Sequence, residues 1–204
     1  MDLTFSRFNL QSGNTRKAAC LIYNTDIKLF RLMFGMPPKA INIIEKMICL
    51  QGNSFSSKNL YAVTDGNDMK AIVVSYDSST EKDKKRTESK DIFLAAGFFR
   101  SLRLFFVTPI IDRIITRDLH NNDFYISNIC VDEKCRGQGI GTFLLNKTIE
   151  MARQKGYSRV LLDVNAENIQ AKRLYERMEF RPYGLRKSRY PGGEAAVYSM
   201  GLEL

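Results

Sequence analysis

A single histidine, His120, and four cysteines without a CxxC pair, Cys20, Cys49, Cys130 and Cys135, are all that the sequence offers as soft metal ligands. That scarcity excludes the ordinary zinc arrangements, and the simplest reading of the cysteines is free thiols in a reducing compartment. The opening Met1-Asp2-Leu3-Thr4 has no basic segment followed by an apolar one, so no secretory signal is expected. Long apolar runs are missing as well. The longest, Ile92 to Phe99, is cut by Arg100 and Arg103, whereas a bilayer span needs about 20 residues. The expectation is a cytoplasmic protein without a membrane span, and the chain shows no internal repeat.

What is present suffices for a folded core. Of 204 residues, 44% are hydrophobic, which suits one domain over residues 1–204 carrying an insertion at about 77–120. Lys and Arg outnumber Asp and Glu by 31 to 22, a net charge of +9. Such an excess favours a polyanionic partner, whether nucleic acid, an anionic membrane surface or a phosphorylated cofactor.

Periodicity orders the elements. Helices are predicted over Arg16 to Tyr23, Asp26 to Phe34 and Pro38 to Leu50, followed by a hairpin of Asn59 to Val63 and Ala71 to Tyr76 around Asp65-Gly66-Asn67-Asp68. Asp77 to Asp91 has no apolar residue and is expected to be a solvated loop. Ile92 to Ile115 reads as two helices broken near Thr108-Pro109, serving as core or oligomer contact, with a substrate lid as the lesser alternative. Beyond it come a strand at Phe124 to Val131, a helix at Thr142 to Lys155, a buried strand at Arg159 to Val164 and a helix at Asn168 to Met178. Two last strands, 180–186 and 194–202, flank the turn Pro191-Gly192-Gly193.

The chemistry concentrates in Arg136-Gly137-Gln138-Gly139-Ile140-Gly141, set between a strand and an amphipathic helix. Alternating glycines let the backbone bend and approach a ligand, and N–H groups at a helix N-terminus make an anion cradle. The dinucleotide pattern G-x-G-x-x-G fails, because its last position falls on Thr142 or Leu144, and no Gly-Lys-Ser/Thr exists for a Walker loop. Taken alone, the glycine run is as often a plain turn.

Read with its flanks, the segment fits Gln/Arg-x-x-Gly-x-Gly/Ala, and here the chain resembles the GNAT acetyltransferase superfamily over roughly residues 123–183. The resemblance implies an α/β fold: a mixed, mostly antiparallel sheet flanked by helices, with this chain's helical insertion between the third and fourth strands. It also implies acetyl-CoA as cosubstrate and no metal. Ile129, Cys130 and Val131 would meet the pantetheine arm, and Arg136, Gly137, Gln138, Gly139, Ile140, Gly141 and Thr142 the pyrophosphate. In Asn168-x-x-Ala171-x-x-Leu174-Tyr175, Asn168 and Ala171 would lie along the cofactor and Tyr175 would act as general acid toward the leaving sulfur. By itself Tyr175 reads as a core residue; the loop upstream reverses that.

Three departures from the family stand out. No carboxylate occupies the neighbourhood of Ser127, where members often carry a glutamate base. Glu179-Phe180 replaces the usual Gly-Phe, and some 45 residues separate the third and fourth strands. The expected reaction is acetyl transfer to a primary amine of a small molecule or protein by direct attack, and a homodimer is one of the oligomeric states left open. Two rivals remain: a non-catalytic acyl-CoA sensor, which the missing glutamate favours, and a basic nucleic-acid-binding protein. No aromatic residue is interleaved with the Lys82 to Arg86 cluster, as a single-strand platform would require, so nucleic acid is not the expected partner.

Overall fold

The computed structural model describes residues 1–77, 79–113, 119–190 and 193–204, and for part of the helices it describes the backbone alone. Its centre is a seven-stranded sheet: β1 (Leu3–Arg7), β2 (Leu60–Asp65), β3 (Asp68–Asp77), β4 (Asp123–Val131), β5 (Arg159–Asn165), β6 (Arg181–Tyr190) and β7 (Gly193–Glu203). The order is β1-β2-β3-β4-β5-β7-β6, and only β4 and β5 run parallel. The mixed, mostly antiparallel sheet expected from the sequence is thus the observed architecture. β1 was not expected. Leu3 and Phe5 alternate with polar residues, and Phe5 stacks on Tyr61 of β2 at 5.4 Å, so a period-2 signal was present but short.

Helices cover both faces. On one side lie α1 (Thr15–Thr25), α2 (Ile27–Phe34), α3 (Lys39–Cys49), α4 (Ser79–Ala96) and α5 (Phe98–Asp112). Their buried side chains, among them Phe30, Phe34, Ile44 and Met47, pack on Leu60, Ile72 and Val74 of the sheet. The other side is covered by α6 (Ile140–Gln154) and α7 (Ile169–Arg177), whose Leu144, Leu145 and Tyr175 pack on Val160, Leu162 and Met200. Local chemistry sets the starts of α1 and α2: Asn14 accepts from the Lys17 N–H and Asp26 from the Leu29 N–H, each capping a first turn.

The insertion departs from its sequence reading twice. Most of the stretch expected as a solvated loop is helix α4, because Lys, Arg and Glu are strong helix formers and polarity alone does not select a loop. Two of its acidic residues face the body: Asp91 accepts from the Gly52 N–H at 2.7 Å and from Asn53 at 2.9 Å, and Glu88 accepts from the Ser54 hydroxyl at 2.8 Å. The break falls at Gly97, with φ +77°, between α4 and α5; it does not fall at Thr108-Pro109, which lies within the last part of α5. Side chains 79–87, including the Lys82 to Arg86 cluster, and the turn residues 191–192 lie outside what is described.

The closed end of the β4–β5 pair is held by an ion pair. Asp123, 1% exposed, accepts from Arg159 Nε and Nη2, each at 2.8 Å, and from the His120 N–H at 2.7 Å. Replacing Asp91 with Ala removes the carboxylate that accepts from the Gly52 N–H and shares Asn53 Nδ2 with the Met47 carbonyl, so a loss of about 2 kcal/mol is expected in urea unfolding. A gain is expected elsewhere. Glu179 follows α7 at φ +68°, a left-handed position that suits glycine, so Glu179→Gly should raise stability by about 1 kcal/mol in the same assay.

Candidate acyl-CoA site

β4 pairs with β5 only from Asp123 to Ile126, against Arg159 to Leu162. On its other edge β4 stays paired with β3 up to Val131, but the register slips: Val74 faces Asn128 while Ser75 faces Ile126, leaving Ser127 as the extra residue. A bulge bends and twists its strand, and this one sits where β4 leaves β5. Past Ile126 the two parallel strands diverge, and the main chain of residues 127–131 has no strand partner on the β5 side. The sheet therefore opens into a wedge, and Ile129, Cys130 and Val131 form one of its walls.

The bulge is fixed from outside the sheet. The Ser127 hydroxyl lies within hydrogen-bond distance of the Asn128 carbonyl oxygen Oδ1 at 3.0 Å and the Val74 carbonyl at 3.3 Å. Asn128 Nδ2 donates to Thr25 Oγ1 at 2.8 Å, and the Thr25 hydroxyl donates to the Ile22 carbonyl at 2.7 Å. This chain ties the bulge to the end of α1. Sequence reading missed Asn128 and Thr25 here, since nothing local marks residues so far apart as partners.

After β4 the chain makes a short helical turn, Glu133–Cys135, with Asp132 accepting from the Lys134 N–H at 3.2 Å. Asp132 also meets Lys17 of α1 at 3.2 Å, and Lys17 meets Asp68 at 2.7 Å. Hydrogen bonding from Lys17 is the foremost cause that draws the Asp68 carboxyl down to about 2. The turn thus stays anchored to α1 and to the start of β3.

Gly137 and Gly139 then take φ +76° and +79°, a conformation L side chains seldom adopt, and a Cβ at either would meet only open space. α6 begins at Ile140 without any side-chain cap. Among the described residues, none accepts from the main-chain N–H groups of residues 138–142. These donors are backed by the positive end of a 15-residue helix, and Gln138, Gly139 and Thr142 among them are exposed. That is the donor set a phosphate or pyrophosphate requires. Arg136 is exposed beside them.

Gly141 has a different reason for its identity. A Cβ there would lie 3.3 Å from Leu174 Cδ2 and 3.6 Å from Val131 Cγ2, so its absence lets α6, α7 and β4 meet closely. The two matched segments, 136–142 and 168–175, are thereby brought together at the wedge. Asn168 is exposed at the start of α7, its side chain accepting from the Ala171 N–H at 3.1 Å. Its visible role is that of a helix cap, and Ala171 packs partly buried against the second core.

Tyr175 is 5% exposed, its ring 6.0 Å from that of Phe180. Burial, and after it the nearby Cys130 thiol, pushes its hydroxyl well above the ordinary phenol value. It remains protonated at neutral pH and is suited to donate a proton. Burial also pushes the Cys130 thiol up to about 11, with the Arg136 guanidinium only partly opposing, so Cys130 is no activated nucleophile. Among the described residues no group of three or more His, Cys, Asp or Glu is arranged to hold a metal. A groove of about 510 Å³ runs between β1 and α6, lined by Leu3, Phe5, Phe143 and Met151 among others, but it contains none of the N–H groups of the cradle.

Residues 96–180 match the family model described as acetyltransferase (GNAT) family. A Bacillus subtilis protein described as a candidate alanine N-acetyltransferase for ribosomal protein bS18 is 34% identical over 77 residues, covering 37% of this chain and 51% of that one. An uncharacterized N-acetyltransferase of Methanocaldococcus jannaschii is 35% identical over 98 residues, covering 46% and 62%. The chain thus spans between half and two thirds of the length of these relatives. An N-acetyltransferase crystal structure from Staphylococcus aureus Mu50 superposes with a TM-score of 0.73 over 98% of this chain and all of that one, at 17% identity, a likeness of fold. The matched stretch, residues 96–180, contains the wedge, the glycine cradle and the Tyr175 helix, and over it the chain is similar to the GNAT acetyltransferases.

Proposed function

We propose that the protein transfers an acetyl group from acetyl-CoA to a primary amine. The observation that carries this reading is the row of five N–H groups at residues 138–142 that nothing accepts among the described residues, beside the unpaired end of β4. Arg136, Gly137, Gln138, Gly139, Ile140, Gly141 and Thr142 would hold the pyrophosphate, and the unpaired edge of Ile129 to Val131 the pantetheine arm, with Asn168 and Ala171 flanking it. Bound acetyl-CoA supplies an activated thioester.

The chain's own groups then do the rest. Main-chain N–H groups on the free edge of β4 are preorganised donors for the charge that develops on a carbonyl oxygen. Tyr175, held protonated by burial, is the proton donor for the departing sulfur. No carboxylate stands at Ser127, and the Ser127 hydroxyl is engaged by Val74 and Asn128, so the amine loses its proton through water. That same feature favours the second reading, an acyl-CoA sensor without turnover. The Bacillus subtilis relative's name points to a protein N-terminus as one class of acceptor; a small amine is the other.

The deciding experiment is release of CoA thiol from acetyl-CoA across a panel of polyamines, amino acids and peptide N-termini. Turnover with at least one class supports the enzyme; tight CoA binding without turnover for any class supports the sensor. Tyr175→Phe keeps the ring packing and removes only the hydroxyl. Because burial makes that hydroxyl a weaker acid than usual, the low end of the general-acid range is expected, a fall in kcat of about 10²-fold with little change in Kd. Its ionisation lies far above neutral, so the pH profile between about pH 6 and pH 9 should keep its shape while dropping in height. Unchanged kcat under chemistry-limited conditions would return Tyr175 to a packing role.

A further inference from the structure

The insertion carries a feature that acyl transfer does not use. Phe93 and Leu94 at the end of α4, and Phe98, Phe99 and Leu102 at the start of α5, are all exposed, Phe99 to 85%. Phe98 and Leu102 stand one helical turn apart on a single face. The opposite side of α5 is apolar too, with Leu104 and Val107 buried. A helix apolar on both sides is normally covered on both, and a contiguous exposed apolar patch marks a docking surface.

Charge selects the occupant. A second copy of this chain would bring its own +9 and meet like charge. Residues 79–113 hold eight Lys or Arg against five Asp or Glu, and two of those acids, Glu88 and Asp91, are turned into the body by their hydrogen bonds. Of the other charged side chains described on the insertion, Arg100 donates to the Phe34 carbonyl, whereas Lys90 and Arg113 are exposed, so the charge shown facing outward is basic. Exposed Phe and Leu framed by Lys and Arg match a helix lying in the plane of an anionic membrane surface. Among the described residues no helix is long and apolar enough to cross a membrane.

We propose that the α4–α5 insertion docks the protein on an anionic lipid bilayer. Phe98 and Phe99 enter the boundary between headgroups and acyl chains, and the basic residues lie against lipid phosphates. This proposal stands independently of the catalytic reading. Its test is co-sedimentation with vesicles of phosphatidylcholine and phosphatidylglycerol in equal parts, beside vesicles of phosphatidylcholine alone. Binding is expected to the anionic vesicles, weakened by salt, and far less to the neutral ones. The double substitution Phe98→Ser with Phe99→Ser should lower partitioning by about tenfold or more while leaving the melting temperature unchanged, because both rings are exposed. The proposal is overturned if the wild type stays in the supernatant with anionic vesicles, or if the double variant binds them equally well. It is also overturned if ultracentrifugation finds a dimer that the same substitutions dissociate, since a second copy would then cover the face.

Discussion

Everything at the site follows from the point where β4 stops pairing with β5. Up to Ile126 the two parallel strands share a ladder, clamped by the buried Asp123–Arg159 pair. One residue later the Ser127 bulge turns β4 away, and its free edge is left without a strand partner. Unpaired main-chain groups inside a sheet are costly unless something else meets them. An extended ligand with amide groups laid in the wedge would supply those bonds, and on the proposed function this defect in the ladder is the binding surface.

The cradle repeats that logic at a helix end. Among the described residues α6 begins with neither a side-chain cap nor a carbonyl to accept its first N–H groups, and the two left-handed glycines before it keep side chains out of the space in front. Gly141, by contrast, is small so that Val131 and Leu174 can close in, which seats α7 against the wedge and brings Tyr175 near Cys130. One glycine-rich segment therefore serves two needs, an open approach for an anion and a close approach for a helix. Low dielectric at Tyr175 and Cys130 suppresses ionisation of both, which suits the proton-donor role proposed for Tyr175 and not a nucleophilic one for Cys130.

The glycine spacing and the Asn168 to Tyr175 segment were legible because each encodes local backbone geometry: a bend, a helix start, a buried stripe. The mixed sheet and the place of the insertion between the third and fourth strands were expected only through the family resemblance that these segments carry. Other features depend on contacts distant in sequence. The tie from Ser127 through Asn128 to Thr25 has no local signature, and the short alternation of Leu3 and Phe5 becomes a strand only when β2 lies beside it. α4 was misread as a loop because its polar composition hid good helix formers and its anchors, Asp91 and Glu88, find their partners in residues 52–54. Glu179 was noticed as a departure from the family, and its positive φ explains why glycine is usual there.

The central claim is that the cradle and wedge hold CoA, and thermal unfolding with added CoA tests it most directly. A ligand bound only by the folded state stabilises it by about 2.7 kcal/mol at a hundredfold excess over Kd, so CoA or acetyl-CoA should raise the melting temperature by several degrees while adenine dinucleotides do far less. A melting temperature unmoved by millimolar CoA would contradict the account.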